Sequence, residues 1–303
     1  MSETTSSEAV AFAQTAQRSP TASPAKEGPR PESMFRRRID PVSALEELWR
    51  YREIVISLAE RDIRSRYKQA LLGFAWALVT PLAFMLVFTL VFTRFAKIDT
   101  GGAPYVLFAY LGLIPWTFFN NCVSVGGMSL VNNLALVNKV YCPREHFPLA
   151  AMAVAAFDTV MSLAVLIVLF PATGYAPKLE TVYVPLLVLV ELFFAAGITL
   201  LASSVLVYLR DLRYALPLAL QIGLFATPVA YGSHTIAKSA TAQDVYAAVN
   251  PLAPVIDGFR RTVLMGLAPN WTQLLIGAAS SVVVLVAGFA VFKKLETGIA
   301  DIA

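Results

Sequence analysis

Six stretches of the chain are apolar over lengths that suit a bilayer crossing, which takes about 20 residues at a helical rise of about 1.5 Å each. They are 69–93, 103–138, 149–175, 181–209, 214–231 and 271–292. Asp158 alone interrupts the third with charge and Glu191 alone the fourth; the others are uncharged. The second stretch is too long for one straight span, so part of it is expected to bend back or lie along the membrane surface. Backbone polar groups in lipid must be satisfied within the segment, so each stretch predicts a helix. The pattern is that of an all-α polytopic membrane protein with six transmembrane helices, residues 69–303 forming its transmembrane domain.

The polar intervals carry their own patterns. Residues 1–40 hold Ser, Thr, Pro, Ala and scattered charges without an apolar period, the composition of a disordered tail. No signal peptide is expected, because the first apolar stretch begins near residue 70. Within 41–68, Val55, Ala59, Ile63 and Tyr67 recur every four residues, while Arg61, Arg64 and Lys68 share another face. That spacing predicts an amphipathic helix lying in the headgroup layer. Two roles fit it: a positive anchor that fixes topology, or cations, Arg66 among them, that gather an anionic lipid headgroup such as a diphosphate through bidentate hydrogen bonds.

Before the last stretch, 232–270 predicts two short helices at the outer face. Thr241 and Asp244 stand at capping-box spacing, and Asn250-Pro251 marks a second start. Leu252, Val255, Ile256, Phe259 and Val263 then repeat at helical spacing, with Asp257, Arg260 and Arg261 assigned to the other face and Gly266 as terminator. Residues 132–146, ended by Pro143, predict either a surface loop or a small helix that docks on a partner.

Charge orients the spans. With alternate crossings, 18 Lys and Arg fall on the face that holds both termini and 6 on the other. The positive-inside bias therefore places both termini in the cytoplasm. Overall 57% of the 303 residues are hydrophobic and 15% charged, against about a quarter charged in soluble domains. Mean hydropathy is +0.64. This composition excludes an ordinary cytosolic enzyme, a secreted disulfide scaffold and a nucleic-acid binder. The formal charge of +4 reflects cations retained on the inner side.

Candidate chemistry is sparse. Cys122 and Cys142 form no C-x-x-C, and His146 and His234 fall on opposite faces, so no metal site is expected. No G-x-S-x-G or H-E-x-x-H occurs, and no glycine is followed by lysine, which excludes a P-loop. Any ATP must be bound by another chain. Asp158 and Glu191 each cost about 2.5–3.5 kcal/mol near a bilayer centre, and both read as partners for neighbouring helices. Phe84, Phe88 and Phe92 form one stripe on the first span, and Tyr110, Trp116 and Phe119 enrich the second. Packing explains such aromatics, and so does a wall for the flat C–H faces of sugars.

The segments together resemble the membrane subunits of ABC-2 type exporters for O-antigen, capsule and teichoic-acid polysaccharides. Arg61-Asp62-Ile-Arg64-Ser-Arg66-Tyr67-Lys68, running on through Trp76 to Pro81-Leu82, is similar to the family's lead-in to the first span. Val140-Tyr141-Cys142-Pro143-Arg144-Glu145 resembles its coupling helix, where Phe is commoner at the position of Cys142. Tyr208-Leu-Arg210-Asp211-Leu-Arg213, Thr227-Pro228, Asn250-Pro251-Leu252 with Gly258-Phe259-Arg260, and Phe292-Lys-Lys-Leu295-Glu296 complete the match in order over 45–303.

The resemblance implies half of a homodimeric pore in the bacterial plasma membrane, driven by two copies of a P-loop ABC ATPase that binds ATP and Mg2+. Its cargo would be a polyprenyl-diphosphate-linked polysaccharide, moved among membrane lipids. Arg61, Arg64, Arg66 and Lys68 would take the headgroup, and Phe84, Phe88, Phe92, Tyr110, Trp116 and Phe119 would line the path. Asn138, Lys139, Tyr141, Arg144 and Glu145 would couple to the ATPase, and Asp257, Phe259, Arg260 and Arg261 would form an outer gate. An ABC-2 exporter of small molecules or drugs, a membrane glycosyltransferase and an ion-coupled carrier are the rival readings.

Overall fold

A helix surrounded by lipid needs no polar face, so an uninterrupted apolar stretch is free to form a helix with no amphipathic period. The computed structural model describes residues 52–68, 75–92, 100, 102–139, 143–232 and 239–298, with backbone alone at 75–77 and 137–139. The tail of 1–40, the start of the 41–68 helix, Tyr141 and His234 lie outside the described residues, as do the side chains of Asn138 and Lys139. Every regular element among the described residues is helical.

The first helix, α1 (Arg52–Lys68), buries Leu58, Ala59 and Tyr67 and leaves its basic side exposed. It is followed by α2 (Ala75–Val91) and α3 (Tyr105–Asn121). A π-helical turn, Cys122–Gly126, extends α3, after which the chain bends into the short α4 (Ser129–Asn132) and α5 (Leu134–Lys139). This is the bend expected of a stretch too long for one span. Next come α6 (His146–Thr173), α7 (Val184–Tyr208), α8 (Leu212–Ala226), α9 (Ala240–Val249), α10 (Leu252–Arg260) and α11 (Trp271–Glu296).

Among the described residues four segments are long and apolar enough to cross a membrane: Tyr105–Gly126, His146–Thr173, Leu179–Tyr208 and Trp271–Glu296. The apolar Leu78–Val91 and Leu212–Ala226 are shorter. Thus among the described residues each of the six apolar stretches contributes a helix, and four of the helical segments reach spanning length by themselves.

The core is built around α3, whose residues are buried almost throughout. It packs against α2, α6 and α10. A second apolar cluster joins α1 to the ends of α6, α7 and α11 through Leu58, Phe147, Val154, Val207 and Phe292. The tightest helix pair is α7 with α11. A Cβ on Gly288 would sit 2.2 Å from the Gly197 carbonyl oxygen, and one on Gly197 would sit 2.7 Å from the backbone of Val284 and Leu285. Only glycine at both places lets the two backbones touch, the small-residue device of helices that pack in lipid.

The two helices before α11 depart from expectation in detail. The cap of α9 is Ser239, whose hydroxyl accepts the Ala242 N–H at 3.2 Å. This corrects the Thr241–Asp244 capping box: the helix starts one residue before Thr241, which therefore lies inside its first turn. The second start falls one residue later than expected, with Pro251 at the cap position and Leu252 the first helical residue, and Asn250 Oδ1 accepts the Leu252 N–H at 3.2 Å. Leu252, Val255, Ile256, Phe259 and Val263 are buried as their spacing predicts, and Gly266 ends the segment at φ +66°.

Candidate functional site

The described residues that bear the expected chemistry gather at the two ends of the helix bundle. At one end, α1 lies against α6. Arg66 donates from Nη1 to Asp158 Oδ2 at 2.7 Å, and the Tyr67 hydroxyl donates to Asp158 Oδ1. Burial and the neighbouring carboxylate push the Tyr67 pKa up to about 12, so the phenol keeps its proton and serves as donor at neutral pH. Asp158 is thus a structural partner, and the helix it binds is α1. Arg64 pairs with Glu60 one turn earlier, and Lys68 is exposed.

Arg61 is placed differently. Its Nη2 lies 3.1 Å from Asn133 Oδ1 and 2.8 Å from the Asp62 carboxylate. It borders a cavity of about 240 Å³ between α1, the bend after α3 and the start of α6, lined by Arg61, Asp62, Ser129, Asn132, Asn133 and Phe147 among others. One guanidinium, one carboxylate, two amides and a hydroxyl converge there. Such a set can bind a phosphate oxygen and sugar hydroxyls together.

Beside this cavity the chain re-enters the bundle through a charged corner. Glu145 is only 1% exposed, and its Oε1 accepts from Lys293 Nζ of α11 at 2.8 Å. Lys293 also donates to Glu296 at 3.0 Å, and the Arg144 guanidinium donates to the Glu296 carbonyl. His146 Nδ1 lies 2.9 Å from the Pro143 carbonyl; since a carbonyl can only accept, that nitrogen carries the proton. Of the residues expected to couple to an ATPase, the structure brings Arg144 and Glu145 onto the last helix.

At the other end Arg260 overturns its assignment to the polar face of α10. It is 2% exposed and points into the protein. Nε donates to Phe108 O at 3.1 Å; Nη1 donates to Pro228 O and Tyr231 O at 2.8 and 2.9 Å; Nη2 donates to Val229 O. The Phe108 ring lies 3.7 Å beneath the guanidinium carbon. The physical reason is a turn at 228–231 whose carbonyls converge on one point, a site that a planar fork of donors fills. Phe259 is also buried, Asp257 is half-buried, and Arg261 donates to Ala268 O at 3.1 Å.

Aromatic rings connect the bundle's middle to this end. Phe84–Phe88, Phe88–Phe92, Phe92–Tyr105 and Tyr105–Phe108 follow one another with centroids 6.2, 5.9, 6.2 and 6.0 Å apart. Phe84 is exposed and Phe92 half-buried, whereas Phe88, Tyr110, Trp116 and Phe119 pack inside the chain's own core. The Tyr110 hydroxyl donates to Ser162 O at 2.8 Å. Of the six aromatics expected along a path, Phe84 and Phe92 are the two with open surface in this structure.

The sequence model of the ABC-2 type transporter matches residues 53–264, which takes in α1 through the turn after α10. The chain belongs to the ABC-2 type transporters. Among curated relatives of this ABC-2 chain, the O-antigen export system permease protein RfbA of Myxococcus xanthus is 30% identical over 260 residues, covering 86% of this chain and 99% of the relative. RfbA of Klebsiella pneumoniae is 25% identical, covering 82% and 95%. The polysialic acid transport protein KpsM of Escherichia coli is also 25% identical, covering 80% and 93%.

Several working residues of this ABC-2 protein escaped sequence reasoning. Lys293 counted as an inner-face cation and, with Glu296, as part of the family's tail, yet its Nζ reaches Glu145 across 148 residues of chain as well as Glu296 three residues on. The Arg66–Asp158 pair joins segments 92 residues apart. An acid isolated within a span was the one available signal for that pair, since such a group needs a partner.

Proposed function

We propose that this chain is the membrane-spanning subunit of an ATP-driven exporter that moves a polyprenyl-diphosphate-linked polysaccharide from the inner to the outer leaflet of the bacterial plasma membrane. The observation that carries the reading is the end-to-end likeness to permeases named for O-antigen and polysialic acid transport. In this reading two copies form the path, and two copies of a separate ABC ATPase bind ATP and Mg2+ and supply the power. Six helices cross the bilayer with both termini inside. α1 and the 143–146 corner then face the cytoplasm, and α9 and α10 lie outside.

The side-chain arrangement supports a division of labour among the cations of α1. Arg66 holds the helix to α6 through Asp158. Arg61, at the cavity with Ser129, Asn132 and Asn133, takes a phosphate of the headgroup, and Lys68 adds a second exposed charge. The 132–146 segment receives the ATPase. The glycan passes the open faces of Phe84 and Phe92 and leaves under α9 and α10.

The test is export in cells that lack the native gene. Complementation with the wild-type chain restores polysaccharide at the cell surface. Arg61→Ala with Lys68→Ala cuts that signal at least roughly tenfold, since one charge-assisted contact carries about 1.5–3 kcal/mol, while the ATPase still co-purifies. Full export by the double variant would refute the headgroup role, and unchanged surface polysaccharide in the deletion strain would refute the cargo.

A further inference from the structure

The helix α11 is gripped at both ends by segments that an exporter must connect. At its start Gln273 donates to Gln243 of α9 at 2.7 Å, and Ser280 donates to the Ala248 carbonyl of α9 at 2.6 Å. Between them Gly277 lets Pro251 and Pro254 of α10 approach so closely that a Cβ there would lie 2.9 Å from Pro254 Cγ. At its far end Lys293 holds Glu145, and the Arg144 guanidinium holds the Glu296 carbonyl. From Gln273 to Lys293 the helix rises about 30 Å, close to the thickness of a hydrocarbon core. No proline interrupts it.

A straight helix of this length transmits displacement along its axis, because its backbone bonds resist stretching and its crossing partner holds it in line. That partner is α7, in backbone contact at Gly197 and Gly288 and tied again where the Tyr208 hydroxyl donates to the Leu295 carbonyl at 2.6 Å. We infer that α11, braced by α7, is the connecting rod between the 143–146 corner and the helices α9 and α10, with the Glu145–Lys293 ion pair as its inner joint. Glu145 and Lys293 are positioning residues. Neither touches cargo or nucleotide; they convert movement of the corner into movement of α9 and α10. The inference rests on the proposed ATP-driven reading, which assigns the corner to the ATPase and α9 and α10 to the exit.

The joint is ionic and mostly buried, with side chains 2% and 22% exposed, so reversing one charge places two like charges against each other. The experiment uses the complete complex of this chain with its ATPase and compares wild type, Glu145→Lys, Lys293→Glu, the double reversal and Lys293→Arg. Membrane level, ATPase co-purification, ATP hydrolysis and export are measured for each. Each single reversal is expected to lower export about tenfold or more while ATP hydrolysis persists, so that the ratio of cargo moved to ATP consumed falls. The double reversal, made together with Glu296→Gln so that the carboxylate brought to position 293 meets no second one, restores export, as pairwise coupling requires, and Lys293→Arg keeps it.

Single reversals that export normally would overturn the inference. So would a double reversal that assembles and hydrolyses ATP yet stays as defective as the singles. If the single reversals fail to accumulate, the decision passes to Lys293→Arg and Lys293→Met, which add no buried like charge: export lost only in Lys293→Met supports the joint, and equal export in the two overturns it. Failure of the wild-type chain to associate with any ATPase would instead sink the underlying reading, a distinct result.

Discussion

Arg260 is held by four backbone carbonyls and an aromatic face, and its role is to fasten the 228–231 turn to α3 and α10. A lysine carries its donors on a single nitrogen and cannot reach four carbonyls spread around a planar fork. Arg260→Lys should therefore destabilise the purified protein by about 3–6 kcal/mol, the loss of two charge-assisted bonds, seen as a lower midpoint of thermal unfolding in detergent. An unchanged midpoint would show that the turn holds without it. Asp158 poses a second test. Asp158→Ala removes the carboxylate shared by Arg66 and the Tyr67 hydroxyl, whereas Arg66→Ala removes a side chain that is 37% exposed and leaves Asp158 its bond from Tyr67. The first should cost about 1–3 kcal/mol and the second less; the reverse order in the same unfolding assay would contradict the latch.

Among the elements, the pair α7 and α11 depends most on the absence of side chains. Gly288→Val forces a branched side chain against the Gly197 carbonyl, so the helices must separate along their crossing. Overpacking of this kind costs about 1–3 kcal/mol, and a drop in the yield of folded, monodisperse protein is the measurement. Wild-type yield would mean that the crossing has slack. The elements were legible in the apolar pattern because lipid demands it: among the described residues each predicted stretch contributes a helix, and the apolar spacing of α10 gives its buried residues. Arg260 was not legible. Polarity alone sends an arginine to solvent, and the carbonyls that draw it inward belong to a turn about thirty positions earlier. Gly197 and Gly288 were equally silent, since a lone glycine in an apolar run carries no mark of which backbone it will touch. Glu145, named from resemblance, became a joint only once Lys293 was seen beside it.

At the scale of the whole molecule the charged contacts divide by height. Ion pairs and the polar cavity occupy the end that holds α1, the 143–146 corner and the close of α11. The other end is fastened by carbonyl-bound arginine, capped short helices and aromatic rings. Helices with little charge of their own run between. In the proposed function the first end meets the ATPase and the second opens for cargo.

The most direct measurement reconstitutes the chain in vesicles with and without an ABC ATPase encoded beside it, and follows ATP hydrolysis together with movement of a lipid-linked glycan across the bilayer. The account predicts neither activity from the chain alone and both from the complex. ATP turnover by the chain alone, or glycan movement driven by an ion gradient without the ATPase, would contradict it.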